Sequence, residues 1–278
     1  MSIQQLIARW LAAQATSAVK KKLFTPEAGT EIVPYGACND SNALTTDIGF
    51  VFALPMEAAG ITDRLTERQT TIGDGRKFHT GQLRKFRVAV VESGVGQEKA
   101  RRATRAMIET FQPKRVISAG YSGGLDATLK RFAIRIPSAV IRESDGNRIQ
   151  LYPEADNPVS LLTTDFVVAT PNRKKTLGEK YQADLVDMET FAIAELCQER
   201  GVPFLSVRIV LDSVNESLPK DVQRIMKSAE RSTAQLAGSL LGSLFSRPTA
   251  LIDLYTLKER ALDAADRLAK RIFKEIGK

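Results

Sequence analysis

Short apolar runs alternate with helical patterns through the middle of this chain, and this alternation limits the fold more than any other feature. Ile48-Gly-Phe-Val-Phe-Ala-Leu54 carries no polar side chain, as expected of a strand covered on both faces. Residues 86–91, 115–119, 133–141, 161–169 and 203–211 read as further strands, and Gln97–Phe111 and 187–200 carry the apolar spacing of helices. Such alternation builds βαβ units with helices laid over a largely parallel sheet. The sequence predicts an α/β fold, a three-layer α/β/α sandwich with a mixed central sheet. Its site is expected at the carboxyl ends of the strands.

The alternating pattern occupies residues 47–246. Residues 1–46 read as an N-terminal extension, with helical spacing at Ile3, Leu6, Ile7, Trp10 and Leu11, then irregular chain around Pro26, Gly29, Pro34 and Gly36. Residues 220–245 predict one long helix, stopped by Pro248. Residues 247–278 read as a helical tail, with an apolar stripe of Leu257, Ala261, Ala264, Leu268 and Ile272 along 254–276.

At 278 residues with 43% apolar and 26% charged composition, the chain is long enough for one large globular domain. The net charge of +8 raises the question of nucleic acid. However, the bases are scattered: Lys20, Lys21 and Lys22 near the start, Arg173, Lys174 and Lys175 in an expected loop, and others in a C-terminal helix that also bears Glu259, Asp263, Asp266 and Glu275. A single binding face is not implied. No apolar run spans a bilayer, and Gln4, Gln5 and Arg9 break the segment that would otherwise resemble a signal peptide. The two cysteines, Cys38 and Cys197, form no framework, and a reducing cytoplasm is expected.

Several carboxylates fall where strands end. Glu57 follows the first apolar run, Glu189 stands at the start of a helical pattern, and Asp212 closes the last apolar run. Cleaving an N-ribosidic bond needs three things: an acid for the leaving base, a grip on the sugar as it becomes cationic, and a positioned nucleophile on the other face. Each residue also has an ordinary structural reading. Asp212 in Asp-Ser-Val-Asn suits an N-cap, Glu189 suits the N-terminal dipole of a helix, and Glu57 suits an exposed helix start.

Six segments, in order over residues 48–215, resemble the nucleoside phosphorylase and nucleosidase superfamily, most closely the 5'-methylthioadenosine/S-adenosylhomocysteine nucleosidases. They are 48–57, Phe78-His-Thr-Gly-Gln-Leu83, Ser93-Gly-Val-Gly-Gln97, Ala119-Gly-Tyr-Ser-Gly-Gly-Leu125, Met188-Glu189, and Arg208 with Asp212 four positions on. The resemblance implies that Asp212 protonates the purine, that Glu189 accepts both ribose hydroxyls with Met188 against the sugar, and that Glu57 activates water. It places Ser93 and Gly94 beside the sugar or nucleophile, Tyr121, Ser122 and Gly123 beside the base, and Phe166 and Val168 at the stacking position. It implies no metal or organic cofactor, and a homodimer. His79, the one histidine, is read as structural, and a zinc site is not expected.

The chain departs from the family at Tyr121 (serine there), at Ser122 (alanine there), and at Phe132-Ala133 (Gly-Asp there). Neither the Leu54-Pro55 turn nor the Ser118–Gly124 turn carries an arginine for phosphate, and Glu57 would repel the anion. Hydrolysis of a 5'-substituted adenosine is therefore expected, with a phosphate-dependent phosphorylase as the alternative. The apolar stretch 240–257 leaves open a bulky adenosyl substrate such as adenosylhopane. A non-catalytic nucleoside-binding protein and a membrane-peripheral scaffold are the readings from other classes.

Overall fold

The computed structural model describes residues 30–31, 45–73, 75–151, 158–218 and 249–277. The predicted helices at 3–15 and 220–245, most of the 1–46 extension and Cys38 lie outside the described residues.

The central strands are β2 (Ile48–Phe52), β5 (Phe86–Glu92), β6 (Arg115–Gly124) and β12 (Phe204–Asp212), all parallel to one another. Ile48, Phe50 and Phe52 point to one side of β2 and Val51 to the other, and all are buried. That two-sided burial is why the run has no polar residue. On the first face lie α1 (Pro55–Thr62) and α5 (Thr249–Ile276), which pack Ala58, Ile61, Ala264, Leu268 and Ile272 onto β2, β6 and β12. On the other face, α2 (Gln97–Phe111) and α4 (Thr190–Glu199) bring Ala100, Ala103, Met107, Ile193 and Cys197 against Val51, Ala89 and Val91. The result is a three-layer α/β/α sandwich. The segment read as a tail forms part of one layer with α1: Ala265 and Ala269 of α5 lie so close to Gly60 of α1 that a Cβ there would meet Ala269 at 2.7 Å.

The sheet is mixed. β3 (Thr66–Gly73) and β4 (Arg76–Leu83) add antiparallel strands beside β5, and the two-residue β1 (Thr30–Glu31) lies parallel to β3. β6 is long enough to serve two neighbours in succession. Arg115 to Ser118 pair with β2, Gly123 and Gly124 pair antiparallel with β11 (Leu185–Asp187), and β12 follows its other edge. Beyond β11 come β10 (Ser160–Thr163), β8 (Ala139–Arg142) and β9 (Arg148–Gln150).

Four local expectations are corrected. The strand expected over 133–141 is broken into β7 (Ile134–Arg135) and β8, with Pro137, which has no N–H to donate, between them. The strand expected over 161–169 stops at Thr163, where the Thr164 hydroxyl donates to the Phe166 carbonyl at 2.7 Å and turns the chain. The helix expected from 187 begins at Thr190, because 185–187 fills the gap in the sheet as β11. The basic stretch 173–175 is not a loop but part of α3 (Pro171–Tyr181), which has proline at its first position.

Candidate active site

The carboxyl ends of β2, β5 and β6 and the start of α4 surround one narrow cleft, lined by Glu57, Ser93, Gly120, Tyr121, Glu189 and Arg208 among others. Glu57 is the third residue of α1, and its Oε2 reaches back to the N–H groups of Ala53 and Leu54 at 3.0 and 2.8 Å. That is helix-capping behaviour. The exposed helix start considered from sequence is nevertheless wrong, since Glu57 is only 4% exposed. Its Oε1 accepts the N–H of Tyr121 at 2.8 Å. Burial raises its pKa, while these backbone donors and the Arg208 charge oppose the rise.

The Ser93 turn is tied to the end of β2. Ser93 and Gly94 donate their N–H groups to the carbonyls of Phe52 and Ala53 at 2.8 and 3.1 Å, and the Ser93 hydroxyl donates to the Gly94 carbonyl. Gly94 and Gly96 take φ of 80° and 103°, values that favour glycine. The Gly96 N–H donates to Glu189 Oε1 at 2.8 Å, and the Met188 N–H to Oε2 at 3.3 Å. Glu189 therefore does not cap α4. Asp187 does so instead, accepting the Thr190 N–H at 3.1 Å. Burial first, then the charges of Asp187 and Glu57, push Glu189 up to about 8. Met188 is half-buried beside it.

Beneath the cleft lies a buried pair that the sequence reading missed. Arg208 Nη2 lies 3.0 Å from Asp187 Oδ2 and also donates to Ser118 and Thr190 hydroxyls at 2.7 and 2.6 Å. The sequence reading used Arg208 only for its spacing to Asp212; an arginine within a largely apolar run was the signal for a buried partner, since it is almost never buried unless paired.

Asp212 lies off this cleft, at the end of β12 beside Gly123, where a Cβ on Gly123 would stand 3.6 Å from its Oδ2. It caps no helix. The chain turns through 213–216, and the Ser213 N–H goes to Glu216 Oε2 at 2.9 Å. The Asp212 carboxylate instead pairs with Lys174, a residue sequence reasoning did not select. Burial raises its pKa, and Lys174 opposes the rise.

The remaining candidates are engaged with other parts of the fold. Ser122 is buried, with its hydroxyl on the Ile209 carbonyl at 3.3 Å. The Tyr121 hydroxyl donates to the Ala261 carbonyl of α5 at 2.7 Å. Val168 is packed with Leu125, Leu162 and Val186, and Phe166 has the Arg173 guanidinium over its ring at 4.0 Å. His79 is buried, with Nδ1 2.9 Å from the Thr70 hydroxyl. Among the described residues no group of His, Cys, Asp and Glu could hold a metal ion, and no helix is long and apolar enough to cross a membrane.

The sequence matches the family model described as Phosphorylase superfamily over residues 47–161 and 158–242. The chain belongs to this superfamily. Among curated superfamily members it is similar to the 5'-methylthioadenosine/S-adenosylhomocysteine nucleosidase of Colwellia psychrerythraea, 28% identical over 235 residues that cover 70% of this chain and 96% of the relative. The corresponding nucleosidase of Shewanella halifaxensis is 27% identical over 233 residues, covering 71% and 99%. Two solved structures from Helicobacter pylori are also similar in fold. A nucleosidase mutant with 5'-methylthioadenosine in its active site has a TM-score of 0.64 at 18% identity, covering 84% of this chain and 98% of that one. A futalosine hydrolase has a TM-score of 0.63 at 17% identity, covering 83% and 97%.

Proposed function

We propose that the protein hydrolyses the N-ribosidic bond of a purine nucleoside, with an adenosine substituted at C5' as substrate. The carrying observation is that Glu57 and Glu189, buried carboxylates from distant parts of the chain, line one cleft, with Asp212 at the adjacent strand end. In this reading the C1'–N9 bond breaks with its electron pair passing to the base, and Asp212 gives a proton to N7. The water oxygen bonds to C1', and its proton passes to Glu57. Glu189 accepts hydrogen bonds from the ribose hydroxyls, which favours its ionised form and links sugar binding to ionisation. Ser93, Gly94 and Met188 border the sugar, and Tyr121 to Gly123 and Phe166 border the base.

The cation lining the cleft, Arg208, is matched by Asp187, so among the described residues of the cleft an incoming phosphate would face Glu57 and Glu189 without a free counter-charge. This supports water as nucleophile. Incubation with 5'-methylthioadenosine, S-adenosylhomocysteine, adenosine and inosine, with and without phosphate, tests the reading. Free sugar formed without phosphate supports it, and sugar-1-phosphate formed only with phosphate overturns it. The same reading places the enzyme in the cytoplasm, which the buried free thiol of Cys197 supports. It also makes the enzyme a homodimer, to be checked by sedimentation.

A further inference from the structure

Lys174 has a side chain with no exposed surface. A buried ammonium is tolerated only where its charge and all its N–H groups are matched. Lys174 meets both conditions with three acceptors: Asp212 Oδ2, the Ser213 carbonyl at 2.7 Å and the Glu216 carbonyl at 2.9 Å. Nothing in the helix itself calls for it, since Arg173 and Lys174 put positive charge in the first turn of α3, against the helix dipole. The turn it grips is held at its other end too, because the Glu216 carboxylate pairs with Arg131 and accepts the Ser213 N–H. Asp212 Oδ1 takes no part in the Lys174 contact and lies beside Gly123, where an added Cβ would stand 3.7 Å from it.

We infer that Lys174 is the positioning residue for Asp212: it clamps Oδ2 and the 213–216 turn so that Oδ1 is presented to the purine, and its charge governs when that carboxylate holds a proton. This rests on Asp212 being the acid of the proposed reaction. A proton carried on Oδ1 leaves the Lys174 contact to Oδ2 intact, so Asp212 gives its proton to N7 without the clamp letting go. Lys174 also makes Asp212 a stronger acid, because loss of the ammonium would let burial raise the carboxyl further. An acid of higher pKa protonates the leaving base less readily.

The test compares wild type with Lys174→Met and with Lys174→Gln, which keeps a donor but no charge and stands in if the first variant fails to fold. The alkaline limb of the kcat profile should move to higher pH in the variants, with kcat reduced about 10- to 100-fold and KM changed less. In an Asp212→Asn background, Lys174→Met should add little further loss. The Asp212 carboxyl carbon, followed by NMR in the labelled protein, should titrate at higher pH in the variants. An unmoved titration and pH limb, or losses that add fully in the double variant, would overturn the inference. If wild type releases no base from any nucleoside, the assignment of Asp212 as acid fails. The carboxyl titration then still shows whether Lys174 governs its ionisation.

Discussion

The Tyr121 backbone N–H donates to Glu57 Oε1 at 2.8 Å, joining residues 64 positions apart. With the Ala53 and Leu54 N–H groups on Oε2, it holds the Glu57 carboxylate in one place and one plane at the carboxyl ends of β2 and β6. Tyr121 therefore positions the proposed base through its main chain, while its hydroxyl binds α5.

Glu57 must be ionised to take a proton from water, and burial raises its pKa above the usual glutamate value. Activity should therefore fall as pH drops through a limb above the ordinary 4.5. Glu57→Gln should lower kcat about 100- to 10,000-fold. A pH series of base release checks both, and an undiminished Glu57→Gln rate removes the proposed base.

Gly120 leaves room for the same carboxylate, since a Cβ there would lie 2.8 Å from Glu57 Oε1. Gly120→Ala is expected to displace Glu57 and lower kcat at least tenfold. Steady-state kinetics beside a circular-dichroism melt would separate this from unfolding. A normal kcat would show that the position of Glu57 is not critical.

Asp212→Asn should abolish most turnover, about 100- to 10,000-fold, while far-UV circular dichroism stays native. Wild-type-like base release by this variant would leave the reaction without its acid.

Glu189 offers a test that needs no substrate. Its folded pKa is raised to about 8 from 4.5, so the fold favours the protonated form. Its stabilising contribution is full below 4.5 and is lost as pH rises towards 8. Glu189→Gln cannot ionise, so its Tm relative to wild type should climb by a few degrees across that window. Parallel melting curves for the two proteins from acid to alkaline pH would contradict this.

The sequence by itself determined the parts governed by local patterning. Gln97–Phe111 forms the predicted helix end to end, because amphipathic spacing encodes a helix lying on a sheet. The apolar run at 48 forms a central strand buried on both faces, which has no need of polar residues, and the run at 204 forms another, whose buried Arg208 is paired. Glu57, Glu189 and Asp212 could be selected because each follows or opens such an element. Only the tertiary structure decided what those residues face. Pairing β11 to both β10 and β6 took 187 out of the helix and placed Asp187 under Arg208. Packing α5 beside Gly60 made part of a layer of what read as a tail. Folding α3 over the end of β12 buried Lys174 on Asp212, though their sequence positions are 38 apart. Local spacing reports which face of an element is apolar. It carries no information on which distant charge must neutralise a buried one, because that partner is set by the sheet order and the layers packed on it.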